Sequence, residues 1–134
     1  MRAAAEVCKK EEVKVFLIDD NRFLLESLQF LIENQPGMKV VGKSTRGKGV
    51  LNLLHKLRPD VIVLDVRLQD TDGLTLLEEL KKNLPVPVIM LSMYEEYRDE
   101  ALRRGAYAYL VKGRDANELY NMLREASQKV DYQE

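Results

Sequence analysis

Acidic residues close two apolar runs of this chain, and a lysine closes a third. VKVFLIDD ends in Asp19 and Asp20, DVIVLDV carries Asp65, and AYLVK ends in Lys112. If the three runs are parallel strands of one sheet, their carboxyl ends meet on the edge where open α/β sheets bind ligands. Carboxylates crowded there repel one another and need a hard, oxygen-liking cation such as Mg²⁺. A nearby ammonium suits an anion arriving beside that metal, and a phosphoryl group is the natural one. The residues alone read as an acidic phosphoryl-accepting site.

Positioning those groups requires strands that alternate with helices. Val13–Asp19 is a near-continuous apolar run of the kind buried on both faces. Asn21 suits the N-cap of a helix carrying Leu24, Leu28, Leu31 and Ile32 at helical spacing. Asn34-Gln35-Pro36-Gly37 stops it, and Met38–Gly42 reads as a short second strand. A second helix carries Val50, Leu51, Leu54 and Leu57 and ends at Arg58-Pro59. Val61–Val66 is the third strand, followed by a polar loop through Gly73 and a helix with Leu74, Leu77 and Leu80. Pro87–Leu91 is the fourth strand, Tyr94–Arg104 a helix with a thin apolar face closed by Gly105, and Tyr107–Val111 the fifth strand. Asp115 and Glu118 form a capping pair for a last helix whose core side holds Leu119, Met122, Leu123 and Ala126. The fold class is α/β: a flavodoxin-like (βα)5 doubly wound parallel sheet with strand order 2-1-3-4-5. That order sets strands one and three side by side and brings Asp19, Asp20 and Asp65 together at the switch point.

Bulk properties narrow the function. The chain has 134 residues, the size of one ordinary domain. Residues 1–12 are expected to be a flexible N-terminal segment, 13–130 the folded domain and 131–134 a C-terminal tail. With 46% apolar and 32% charged residues the composition is globular, and a net charge of −1 gives no bulk attraction to nucleic acid or anionic membrane. The single Cys8 has no internal disulfide partner, which suits a reducing cytoplasm. The start, MRAAAEVCKKEE, lacks a signal peptide's apolar core, and no apolar run approaches membrane-spanning length. His55 has no Cys or His partner nearby and reads as a surface residue.

With these residues placed, the chain resembles the receiver domain of two-component response regulators, over about Val13 to Lys129. LIDDN is similar to the family's acidic pair, VLDVRLQDTDG to its phosphoacceptor strand and loop, MLSMYEE to its hydroxyl after strand four, and GAYAYLVKG to its aromatic and lysine. The resemblance implies that Asp65 takes a phosphoryl group from the phosphohistidine of a sensor histidine kinase. It implies Mg²⁺, with Mn²⁺ as the alternative, held by Asp19, Asp20, Asp65 and the backbone carbonyl of Arg67. Lys112 would offset phosphoryl charge, Ser92 would bond a phosphoryl oxygen, and Tyr109 would turn inward as that hydroxyl moves. Output would pass through the fourth helix, fifth strand and fifth helix. LSMYEEYRDEALRRGAYAYLVKG and RDANELYNMLREA look most like NarL/LuxR-type receivers. Contact with DNA would then come only through an output domain not in this chain. A second copy of the chain is a further partner the resemblance allows.

There are departures and rivals. The family loop usually has proline and glycine where Gln69 and Asp70 stand, and Asp70 adds a negative charge near the site. Gly113 follows Lys112 where many members have proline. Arg67 and Tyr94 stand where the family tunes phosphoryl lifetime. Gly37–Ser44 satisfies Walker A spacing, and Val61–Asp65 resembles a Walker B strand, so a P-loop NTPase is a formal alternative. Asn34-Gln35-Pro36 before it and the strand-like Met38–Val41 within it argue against a phosphate loop. A haloacid-dehalogenase-like phosphatase wants D-x-D after the first strand, which Asp19-Asp20-Asn21 does not supply. A flavodoxin-type FMN carrier needs a hydroxyl-rich loop there, which Asn21–Leu24 is not. A degenerate receiver would need one of Asp19, Asp20, Asp65, Ser92 or Lys112 missing.

Overall fold

The computed structural model describes residues 12–132. The expected flexible segment, Glu12 apart, lies outside the described residues, as do Cys8 and the last two residues of the tail. Among the described residues, β1 (Val13–Ile18), β2 (Met38–Ser44), β3 (Val61–Leu64), β4 (Val88–Ser92) and β5 (Ala108–Val111) alternate with helices. The helices are α1 (Arg22–Glu33), α2 (Val50–Leu57), α3 (Gly73–Asn83), α4 (Arg98–Arg103) and α5 (Ala116–Ser127). The strands are all parallel, in the order β2-β1-β3-β4-β5 expected from the sequence.

Both parities of the central strands are apolar, so both faces of the sheet are covered. Val13, Val15 and Leu17 of β1, Val61 and Val63 of β3, Ile89 of β4 and Leu110 of β5 join Leu25, Ile32 and Leu123 in one core. Phe16, Ile18, Ile62, Leu64, Val88, Met90 and Tyr109 point the other way, to Leu54, Leu77 and Ala101. Side chains alternate along a strand, which explains why these segments read as continuous apolar runs rather than as alternating ones.

The elements differ from the sequence reading in several places. β2 runs on to Ser44, held by its pairing with β1 from Val13↔Met38 to Ile18↔Ser44. The Walker-like stretch is therefore a strand whose polar backbone serves the ladder, and Lys43 Nζ donates to Gln29 Oε1 at 2.6 Å. The P-loop alternative fails on that geometry. The helix expected over Tyr94–Arg104 is split into a 3₁₀ turn, Glu95–Tyr97, and the six-residue α4. Of that stretch only Ala101 is buried, so little apolar contact holds its first turn in α geometry. In α1 the inward face is Leu25, Leu28 and Ile32, while Leu31 is 41% exposed. Asn21 caps this helix as expected, accepting from the Phe23 and Leu24 N–H groups at 3.0 and 3.2 Å. Asp115 caps α5 through the Asn117 N–H at 3.0 Å. The Glu118 N–H donates to the Asp115 carbonyl at 3.1 Å.

The first residues of the C-terminal tail lie along the amino end of the sheet. The Asp131 N–H donates to the Pro85 carbonyl at 3.1 Å, and the Tyr132 hydroxyl to the Pro59 carbonyl at 2.7 Å. The Arg58 guanidinium covers the Tyr132 ring at 4.1 Å. Arg58 itself ends α2 in the left-handed region, at φ 50°. That conformation costs an L-residue roughly 1–2 kcal/mol. Its cap bond to the Leu54 carbonyl at 2.9 Å and the stacking on Tyr132 offset part of this.

Burial pushes the Tyr132 phenol up from its ordinary 10 to about 12. The folded state thus favours the protonated ring. The stability this gives is fully present below pH 10 and is lost as pH rises toward 12. An ultraviolet phenolate titration should show a tyrosine ionising near 12 that is missing from Tyr132→Phe. A titration identical in both proteins would show that Tyr132 is not held this way.

Candidate functional site

The strand parity that places Leu17, Val63 and Leu110 in one core continues past the strand ends to Asp19, Asp65 and Lys112. Backbone bonds keep the chain extended there: Asp65 N–H to Ile18 O at 2.9 Å, Asp19 N–H to Ser44 O at 3.1 Å, and Lys112 N–H to Ser92 O at 2.9 Å. The three side chains therefore emerge side by side on the rim. Lys112 Nζ lies 2.7 Å from Asp19 Oδ2 and 3.2 Å from Asp65 Oδ2. Asp19 Oδ1 accepts from the Asn21 N–H at 2.9 Å, and Asp65 Oδ1 from the Val66 N–H at 2.8 Å. Each of these two carboxylates is thus held in one orientation by a backbone amide and the shared ammonium.

Asp20 completes the cluster. One carboxylate oxygen from each of Asp19, Asp20 and Asp65 lies within 4.8 Å of the others. Asp19 and Asp65 are buried, and Asp20 is exposed at the mouth. Burial raises the Asp65 carboxyl above its ordinary range, against the charge and hydrogen bond of Lys112 and the Val66 amide. Asp20 is raised too, first by its own burial and then by its hydrogen bond and repulsion with Asp19. Burial works against the Lys112 ammonium, but the Asp19 hydrogen bond and the charges of Asp65 and Asp19 carry it above its ordinary value. An all-oxygen donor set of three converging carboxylates, one open to solvent, fits a hard divalent cation. The two buried members already face an ammonium suited to a phosphoryl oxygen.

The structure also places the remaining predicted residues. Ser92 is fully buried at the end of β4, and its Oγ accepts from the Tyr94 N–H at 3.1 Å. Tyr109 is turned inward, 2% exposed, with its hydroxyl donating to the Tyr94 carbonyl. Burial raises its phenol, and the Ser92 hydroxyl offsets part of that rise. Arg67 follows Val66 on the exposed side of the loop and bridges to Asp72. Asp70 is exposed, and its carboxylate accepts from the Gly47 and Lys48 N–H groups of the turn before α2. His55 is exposed, as expected. The turn after Lys112 is made by Gly113 at φ 87°.

Three features went unseen in the sequence. The Arg67 guanidinium sits over the Tyr94 ring, 4.6 Å from its centroid. Arg98 donates to the Tyr109 carbonyl at 2.9 Å and lies 5.4 Å from its ring centroid, covering the inward aromatic. Gly73, the first residue of α3, is the tightest. Its N–H donates to Val66 O at 2.5 Å, and a Cβ there would stand 1.9 Å from the Asp65 carbonyl oxygen. Only the Asp-Gly pair at the loop's end could have signalled this, and such pairs also mark ordinary turns.

Gly73→Ala should therefore shift the backbone that carries Asp65 and destabilise the domain by roughly 3 kcal/mol, the upper end of overpacking costs. Urea unfolding would measure the loss, and an unchanged midpoint would remove the constraint.

Comparison with known proteins gives a consistent picture. The family model for the response regulator receiver domain matches residues 15–124. The response regulator protein VraR of Staphylococcus saprophyticus is 31% identical over 116 residues, covering 84% of this chain and 56% of its own length. A protein-glutamate methylesterase/protein-glutamine glutaminase of Alkalilimnicola ehrlichii is 33% identical over 105 residues, covering 75% of this chain and 27% of its own length. The solved receiver domain of the putative response regulator NarL from Mycobacterium tuberculosis superposes with a TM-score of 0.80 at 26% identity, covering 87% of this chain and 97% of its own. The chain thus spans about half or less of the length of these curated relatives.

Proposed function

The chain belongs to the response regulator receiver domain family, and from that premise we propose that it is a phosphoacceptor switch in two-component signalling, with Asp65 as the accepting residue. The observation that carries this reading is the meeting of three carboxylates within 4.8 Å, two of them sharing the Lys112 ammonium at 2.7 and 3.2 Å.

In this reading Asp19, Asp20, Asp65 and the Arg67 backbone carbonyl hold Mg²⁺, with Mn²⁺ an alternative ion. When bound, the metal supplies positive charge beside the phosphoryl oxygens. An Asp65 carboxylate oxygen attacks the phosphorus of a sensor kinase's phosphohistidine. The new P–O bond forms as the P–N bond breaks, and the imidazole nitrogen leaves with the electron pair. The Lys112 ammonium has three donors. It already reaches Asp65 Oδ2 and follows the charge onto a phosphoryl oxygen. Ser92 then exchanges its bond with the Tyr94 amide for one to the phosphoryl group. Tyr109 shares that environment and transmits the change to α4, β5 and α5.

The short α4, with Ala101 its one buried residue, supports a face that shifts at small cost. An output through DNA, by a domain not in this chain, rests on the resemblance to NarL/LuxR-type receivers, and the likeness to a protein-glutamate methylesterase supports other outputs as well. A cytoplasmic setting and pairing with a second copy belong to the same proposal. Among the described residues no helix is long and apolar enough to cross a membrane.

Incubation with Mg²⁺ and acetyl phosphate should add one phosphoryl mass to the chain and none to Asp65→Asn. Ser92→Ala should accept the group but show weaker amide shifts around Tyr109 than the unsubstituted protein, read by NMR. Absence of both adduct and metal binding would sink the reading. Equal shifts in the two phosphorylated proteins would remove Ser92 from the coupling.

A further inference from the structure

The residues where this loop departs from its family, Gln69 and Asp70, do not crowd the pocket. They tie its loop down. Between Asp65 and Gly73 the chain makes a narrow excursion closed at its base by Gly73 N–H to Val66 O at 2.5 Å and by the Arg67↔Asp72 bridge. Leu68 N–H to Thr71 O at 3.1 Å closes it again one step out, leaving Gln69 and Asp70 at the tip. Bonds within such an excursion fix its shape but not its direction, so it could swing as one flap about its base.

The contacts that fix its direction are made at the tip. The Asp70 carboxylate accepts from two consecutive amides, Gly47 N–H on Oδ1 at 2.8 Å and Lys48 N–H on Oδ2 at 2.9 Å. Successive amides converging on one anion make a directional pair of charge-assisted bonds. Gln69 has the backbone N–H that proline lacks, and it donates to Thr45 O at 3.1 Å. The Gln69 side-chain amide reaches the Asp20 carbonyl at 3.3 Å. The turn lies close against the tip, since a Cβ on Gly47 would stand 2.8 Å from Thr71 Cγ2. The excursion is thus bound to the β2–α2 turn and to the β1–α1 turn that carries Asp20.

We propose that Asp70, seconded by Gln69, is a positioning residue of the pocket: it clamps the loop after Asp65 to the two neighbouring turns, so that Asp20 and the Arg67 carbonyl stand ready before a cation arrives. This rests on the metal-binding reading of the pocket given above. The alternative role for Asp70, a through-space negative charge beside the site, makes different predictions. A charge acts through Coulomb attraction and fades with salt. A clamp acts through acceptor oxygens and does not.

Mg²⁺ titration of the full chain by calorimetry, at low and high salt, separates them. Asp70→Ala should weaken Mg²⁺ binding roughly three- to tenfold, at or below the low end for residues that support a metal ligand. Asp70→Asn, which keeps one acceptor oxygen but sets an NH2 against the other amide, should lose less affinity than Asp70→Ala, and the gap between the two variants should persist at high salt. Gln69→Pro should give a partial loss by itself. Without metal, hydrogen exchange of the Gly47 and Lys48 amides should accelerate in Asp70→Ala, with the thermal midpoint nearly unchanged because Asp70 is exposed. Equal losses in Asp70→Ala and Asp70→Asn that vanish with salt would overturn the clamp in favour of the charge. Unchanged affinity and exchange in all variants would overturn it outright. Failure of the unsubstituted chain to bind Mg²⁺ would overturn the metal reading itself, and the clamp with it.

Discussion

Everything near the carboxyl edge of this sheet answers to one electrostatic demand. Three carboxylates converge within 4.8 Å, and one ammonium faces them, which leaves two negative charges uncompensated. At an effective dielectric of about 20, like charges about 5 Å apart repel by roughly 3 kcal/mol per pair. Lys112 answers for the two buried members, at the shorter distances. It leaves Asp20 to water and to whatever cation the mouth admits. The deficit equals the charge of a divalent ion, so neither the lysine nor the metal makes the other redundant. Burial is the first cause that raises Asp20 and Asp65 above the ordinary carboxylate range; the neighbouring carboxylate adds to it in each, and the Lys112 charge opposes it.

The apolar sheet makes that arrangement durable. Its two cores fix the strands on both faces, and the site sits on their ends rather than on free loops. On the opposite side of Ser92 the restraint falls away. Tyr109 is buried, yet what covers it is a cation, Arg98, on a helix with one buried residue. Arg98 is itself shared with Glu95 at 3.2 Å, on an exposed turn. A charge pocket built on strand ends thus adjoins a buried aromatic whose cover is a lightly packed helix.

The sequence revealed what depends on periodicity and hid what depends on approach between loops. Val61–Leu64 and Val13–Ile18 announced themselves as buried strands because both parities are apolar, and with the later run ending in Lys112 and a flavodoxin-like strand order they set Asp19, Asp65 and Lys112 on one edge. The fold order and the three-carboxylate cluster followed. The direction of Asp70 did not, because the amides of Gly47 and Lys48 that capture it lie more than twenty residues away with no periodic signature. Gly73 was visible only as a turn residue, since its closeness to the Asp65 carbonyl is a property of the closed loop. The split before α4 and the docking of Tyr132 escaped for a related reason. The first follows from too little apolar contact to hold a turn in α geometry. The second follows from contacts of Asp131 and Tyr132 with residues far away in the chain, and neither has a repeating pattern behind it.

The parity shared by Asp19, Asp65 and Lys112 also bears on how the sheet finds its register. β5 is an edge strand four residues long, and a slip of one residue turns every side chain of a strand to the other face. A slip by one residue would exchange the roles of Tyr109 and Leu110 between two cores that are both apolar, so hydrophobicity gives weak proof-reading there. Charge is less forgiving. The slipped strand would turn the ammonium to the other face and leave two buried carboxylates without a counterion. The charged residues of the pocket thereby also serve as an error check on assembly, penalising a misaligned edge that greasy contacts alone would tolerate.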